Sequence, residues 1–257
     1  MKLNNLKKIQ GFLLYRNAVK NINAFEKTYI ALRQKEGRAY NEKEIAILPV
    51  VASSHPYYKE WKIRETSCNK LLKYVKGKGN VCDILEVGCG NGWLSAQLSA
   101  VTSGEVTGLD INTVELEQAK NVFQWKYNLN FTKGDIRSGV LADQKFDLIV
   151  FAASVQYFES LKEIINTALQ YLTLQGEIHI LDSYFYKEKE IAAARQRTKE
   201  YFDDLGFPEM AHFYFHHSID DLETFPFSIL YNPNSRINKL LFRKNPFHWI
   251  AVKNRYL

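Results

Sequence analysis

At 257 residues the chain can bury a core without disulfide staples, and 46% apolar with 24% charged residues excludes the disordered and collagenous classes. The formal charge of +6 leaves an anionic partner such as RNA open, although the lysines and arginines are scattered as on a solvated surface. Three cysteines, an odd number with no CxxC pair, read as free thiols in a reducing compartment; with no membrane-spanning stretch and no secretory signal, a cytoplasmic location is expected.

Residues 1–80 show helical spacing and little strand signal. Ile22, Phe25, Tyr29 and Leu32 recur at threes and fours, as do Cys68, Leu71, Leu72 and Val75. Pro49 and Pro56 break the pattern between them, and turn residues at 77–80 close it. This stretch is expected to form a helical cap. From 81 to 257 a second domain is expected, in which strands alternate with helices. Residues 81–87 are an apolar run closed by glycines, residues 105–111 a second strand ending on an acid, and 129–132 a third. Residues 146–153 and 177–181 complete the series. Between them, 93–101, 114–126 and 161–172 carry helical apolar spacing. Strands joined through helices pair in parallel by right-handed crossovers, and continuous apolar strands imply helices on both faces. A long polar helix (187–205) and a short one (219–224) precede two final strands, 227–231 and 248–252, joined by a basic Asn/Pro-rich segment.

The densest motif is Glu86-Val87-Gly88-Cys89-Gly90-Asn91-Gly92, a buried strand turning into a helix through alternate glycines. Glycine lets a ligand approach the backbone, and the following helix offers unpaired N–H groups. A dinucleotide site favours GxGxxG; here the spacing is GxGxG, with Trp93 in the place of the third glycine of that motif. Glu86 would repel a pyrophosphate and could pair with an ammonium, which favours a cationic, amino-acid-bearing ligand. Asp110, at the end of the second strand, could accept both hydroxyls of a ribose.

Residues 84–183 resemble the class I, Rossmann-like S-adenosylmethionine-dependent methyltransferases, through the E-x-G-x-G-x-G loop and the acid at Asp110. The resemblance extends over roughly residues 60–255. It implies a seven-stranded, mostly parallel sheet with an antiparallel terminal hairpin. It also implies S-adenosylmethionine as cofactor and S-adenosylhomocysteine as product, with Glu86, Gly88, Cys89, Gly90, Gly92, Asp110 and Ile111 around the donor. Gly134-Asp135-Ile136 resembles the segment in which an Asp meets the adenine amine and the next N–H the ring. Phe146–Val150 resembles the fourth strand, after which Ala152 and Ala153 would line the methionine.

The acceptor side is less specific. Neither the Asn/Asp-Pro-Pro-aromatic motif of base-amine methyltransferases nor the Pro-Cys nucleophile of cytosine-carbon enzymes follows the fourth strand. Gln156-Tyr157-Phe158 is similar to the polar-aromatic stretch of small-molecule methyltransferases, so a small-molecule acceptor is expected, its accepting atom (O, N or C) open. RNA or protein methylation, using the basic segment 236–244, is the alternative. Tyr157, His216 and His217 are the candidate catalytic groups, with His212 nearby; a base or pocket lining is one reading of the histidines and packing the other. No metal-ligand spacing is evident. Asp182-Ser183-Tyr184 is a further candidate wall. Tyr58, Trp61 and Arg64 share a helix face that could close over the site.

Overall fold

Among the described residues, seven strands form one mixed sheet. The computed structural model describes residues 24–79, 81–240 and 245–254; Ile22 and residues 241–244 of the basic segment lie outside them. The strands are β1 (Ile84–Val87), β2 (Val106–Asp110), β3 (Leu129–Lys133), β4 (Phe146–Ala152), β5 (Leu172–Leu181), β8 (Phe227–Tyr231) and β9 (Trp249–Lys253). The first five pair in parallel, and β9 runs antiparallel to both β5 and β8. This is the α/β architecture the alternation of strands and helices implies. Two short strands, β6 (Phe185–Tyr186) and β7 (His217–Ser218), pair in parallel outside the main sheet. They carry too few residues to show a period in the sequence.

Helices follow from local signals. The helical residues 24–35 form α1. Asn41 and Glu44 make a capping box on α2 (Glu42–Ile47). Helix α3 (Tyr58–Lys78) precedes β1, α4 (Trp93–Ser99) follows it, and α5 (Thr113–Phe123) follows β2. Helix α6 (Leu161–Leu169) buries Leu161, Ile164, Ile165 and Ala168, a stripe at i, i+3, i+4 and i+7. Helix α7 (Glu188–Leu205) ends on Gly206 in the left-handed region. The segment before the last strand holds the five-residue α8 (Arg236–Leu240).

Both faces of the sheet are covered. One core gathers Leu85, Ile149, Phe151, Ile178 and Ile180 under α6. The other gathers Ile84, Val106, Leu148 and Val150 under α3 and α4. Each fully buried aliphatic or aromatic side chain contributes about 1.5–3 kcal/mol, so the central strands hold the platform rigid. A third cluster joins Leu32 of α1 to Phe202 of α7 and to Met210, with Tyr157 packed against it.

Helix α3 is tied to β5, inside the sheet, by polar contacts. Tyr74 donates to Glu177 Oε2 at 2.6 Å, and Lys78 pairs with the same oxygen at 2.8 Å. Trp249 Nε1–H donates to His179 Nδ1 at 2.9 Å, so the other ring nitrogen carries the proton facing Glu177 at 3.2 Å. These contacts fix the helix that supplies part of the site. Chain order reverses between β1 and β4, since β2 and β3 lie to one side and β4 and β5 to the other. In open α/β sheets that switch point opens a crevice at the strands' carboxyl ends.

Candidate active site

Two adjoining cavities lie over the ends of β1, β2 and β4. The first is walled mainly by apolar groups, among them Phe25, Leu109, Ile111, Ile136 and Phe158. The second is walled by charge and indole: Arg33, Arg38, Glu60, Trp61, Arg64, Glu86 and Trp93. Tyr29, Gly88, Gly90, Glu115 and Ala153 line both, and so mark their junction.

The junction is built from close-packed backbone. Gly88 sits at φ +76°, and a Cβ there would lie 2.6 Å from the Ser154 Cβ. Ser154 Oγ donates to the Val87 carbonyl at 2.6 Å, drawing the end of β4 against that of β1. Ala153 is held at φ +53°, a conformation unfavourable for a residue with a Cβ, and lines both cavities. Gly92 has a different task. Its Cβ would meet the Phe131 ring at 2.5 Å, and it lines neither cavity. The third glycine of the motif lets α4 pack on β3.

Four carboxyl groups surround this floor. Glu86 is 3% exposed and bonds to the Ser95 hydroxyl; burial pushes it up to about 8. Asp110 Oδ2 accepts from Gly90 N–H at 2.7 Å and Oδ1 from Asn112 N–H at 2.8 Å. Burial raises Asp110, and these N–H groups oppose the shift. Glu115 accepts from Asn112 Nδ2 at 3.1 Å and is raised to about 7, by burial first and the Asp110 charge second. Asp135 accepts from the Arg137 backbone at 2.8 Å and pairs with its guanidinium. Burial opposes its charge, yet Arg137 holds it below the usual carboxylate range.

Helices α1 and α3, with the chain between them, supply the charged wall. Arg38 grips Glu60 with two bonds of 2.9 and 2.6 Å, and Arg64 meets it at 3.1 Å. Burial works against the Glu60 charge, but the two guanidinium groups bring it down to about 2. Trp61 donates to the Tyr40 hydroxyl at 2.9 Å and stands edge-on to Trp93. Arg33 pairs with Glu36 at 2.7 Å and donates to the Tyr157 hydroxyl at 3.1 Å.

The residues singled out from the sequence divide. Asp110, Ile111, Asp135 and Ile136 line the first cavity, Glu86, Cys89 and Ala152 the second, and Gly88 and Gly90 both. The Cys89 thiol is pushed well up by burial, which suits a lining group and not a nucleophile. Tyr157 faces the first cavity, while Trp61 and Arg64 face the second without Tyr58. His216 and His217 line neither cavity. His217 Nε2 is 3.0 Å from the Val155 carbonyl, and His216 Nε2 2.9 Å from Thr198 Oγ1. Burial lowers both, His216 to about 4, so they fasten β7 to its neighbours as neutral rings. His212, Asp182, Ser183 and Tyr184 also stand outside both cavities; Asp182 accepts from Ser67 at 2.7 Å. Sequence reasoning missed Arg33, Arg38, Glu60 and Glu115. The i, i+4 spacing of Phe25, Tyr29 and Arg33 was the available signal for the first.

The chain's own chemistry suits an S-adenosyl ligand. A buried acid with a hydroxyl as its side-chain partner fits an ammonium, and an apolar slot beside a buried Asp fits an adenosine. The comparisons with known proteins agree. Residues 78–225 match the family model described as "Methyltransferase domain", and the chain belongs to that family. Its fold is that of the class I, Rossmann-like methyltransferases, whose methyl donor is S-adenosylmethionine.

Among relatives, a malonyl-[acyl-carrier protein] O-methyltransferase of Acetivibrio thermocellus is 29% identical over 149 residues, 55% of this chain and 52% of that protein. An uncharacterized methyltransferase of Staphylococcus carnosus is 25% identical over 72% of this chain and 81% of its own. The chain thus spans about half the length of the malonyl relatives it matches. In fold it resembles magnesium protoporphyrin IX methyltransferase from Synechocystis PCC 6803, crystallised with S-adenosylhomocysteine (TM-score 0.58, 13% identity, covering 92% of this chain and 99% of that one). It also resembles the YcgJ protein from Bacillus subtilis (0.57, 14%, 74% and 99%).

Proposed function

We propose that the protein transfers a methyl group from S-adenosylmethionine to a small-molecule acceptor that carries a carboxylate. The observation behind this reading is the pair of joined cavities, one apolar and one rich in arginine. In it the adenosine occupies the first cavity, with Asp110 at the ribose and Asp135 and the Ile136 N–H at the adenine. The amino-acid end reaches the second, with Glu86 at the ammonium and Arg64 or Arg38 at the carboxylate.

A bound donor supplies an activated methyl on sulfur. The carboxylate oxygen of the acceptor forms the new C–O bond while the C–S electron pair stays on sulfur, so no proton has to be removed. That chemistry suits a site with no histidine lining it among the described residues, because the chain need only align two ligands and exclude water. The arginines give an anionic acceptor a complementary wall, and a carboxyl group is what the malonyl relatives' name places on their substrate. Among the described side chains of the basic segment, Arg236, Ile237, Asn238 and Leu240 line neither cavity. No helix among the described residues is long and apolar enough to cross a membrane.

The test uses methyl-labelled S-adenosylmethionine with a panel of short carboxylic acids and their thioesters, amines and phenols. Label that becomes volatile as methanol on mild alkaline treatment marks a methyl ester. Transfer confined to amines or phenols would overturn the carboxylate reading.

A further inference from the structure

We propose that Glu115 faces the sulfur of the bound cofactor, so that the site separates the cationic sulfonium donor from its neutral thioether product by charge. This rests on the cofactor reading above and assigns it a residue that neither the glycine loop nor Asp110 implies.

In the donor, the sulfur is the atom that joins the adenosine to the amino-acid tail. If those two parts occupy the two cavities, the sulfur lies at their junction. Of the five residues that line both cavities, Glu115 alone carries a carboxyl group.

Asn112 caps α5 through its side chain, and a glutamate three residues on ordinarily completes a capping box by turning back to the N-cap N–H. Here that N–H is already held by Asp110 Oδ1 at 2.8 Å. Glu115 is released from the box and touches the cap only through Asn112 Nδ2, at 3.1 Å. Its Oε2 stands 3.4 Å from where a Cβ on Gly90 would be, directly over the glycine loop.

The groups around it bear on its charge. Asp110 at the end of β2 raises it, Arg33 of α1 lowers it, and Tyr29 of α1 and the Cys89 thiol face it with weakly acidic protons. A carboxyl group held at about 7 is half ionised near neutrality, and a cation beside it draws off the remaining proton. The neutral thioether does not.

The experiment measures the binding of S-adenosylmethionine and S-adenosylhomocysteine by calorimetry, from about pH 6 to about pH 8. Glu86 and Asp110 meet the ammonium and ribose that both ligands carry, so their part in the ratio of dissociation constants is small beside that of a carboxyl group at the sulfur, and Glu115→Gln isolates the latter. We expect the preference for the sulfonium to grow about tenfold across that range in the wild type, and to stay flat in Glu115→Gln. Glu115→Met, which has similar length and no charge, should also be flat and serves if the amide variant folds poorly. A ratio independent of pH in the wild type, or a pH-dependent ratio that persists in either variant, overturns the assignment. Failure of both ligands to bind the wild type would instead overturn the cofactor reading beneath it.

Discussion

The two cavities share a floor but are built by different means. The apolar one is made by strand ends and the turns after them, within a continuous run from Val87 to Phe158, closed on one side by Phe25 and Tyr29. The charged one takes half its wall from α1, α3 and the chain between them, where Arg33, Arg38, Glu60 and Arg64 are held mainly by each other and by Glu36. The first is therefore a property of the sheet. The second depends on how the amino-terminal helices dock, and it should respond to mutation separately.

The largest expected effect removes both at once. Gly88→Ala places a methyl in a left-handed position against Ser154. It should destabilise the fold by about 2–4 kcal/mol and abolish S-adenosylhomocysteine binding, measured by melting and calorimetry. Binding that survives intact would show that the ends of β1 and β4 need not meet so closely.

Glu86→Gln should weaken both cofactor forms about tenfold while leaving adenosine binding unchanged. The same variant has a pH signature. The folded protein holds the Glu86 proton up to about 8, against an ordinary carboxyl near 4.5, so the folded state binds more protons in between. Stability is full below about pH 4.5 and falls as pH rises toward 8. The melting temperature of the empty protein should decline over that window, and less steeply in Glu86→Gln.

Arg64→Ala sharpens the contrast further. It strips one partner from Glu60 and should cost S-adenosylhomocysteine about 1–2 kcal/mol of binding, with adenosine unaffected. Equal loss for both ligands would mean that the two cavities are not separable. Smallest of all, Tyr157→Phe removes the bond from Arg33 and should change cofactor affinity by no more than about threefold.

This division also decides what could be read without coordinates. Glu86, Gly88 and Asp110 are legible because strand, turn and helix are local, and their residue types carry the chemistry. Gly92 belongs to the same motif but answers to Phe131, a ring from β3 that no local pattern names. Arg38 and Glu60 sit in stretches whose spacing shows helices and nothing of what the helices face. The placement of the histidines away from both cavities is hidden for a related reason. His217 sits in a two-residue strand whose partner, Phe185, is far away in sequence, so no local pattern shows which way it faces. Glu115 is the subtlest case. Asn112-x-x-Glu115 reads as a capping box, and only the competing bond from Asn112 N–H to Asp110 shows that it is not one.

The rings of α1 set a tempo as well as a boundary. Phe25 meets Tyr157 and Phe213 edge-on at 5.5 and 5.4 Å, and Tyr29 meets Tyr157 at 5.8 Å; Phe25, Tyr29 and Tyr157 line the apolar cavity. Were a nucleoside to sit against the three lining rings, its departure would have to loosen their stacking. Exchange of spent for fresh cofactor would then be paced by unstacking and restacking, and the slow step of each cycle would be a departure.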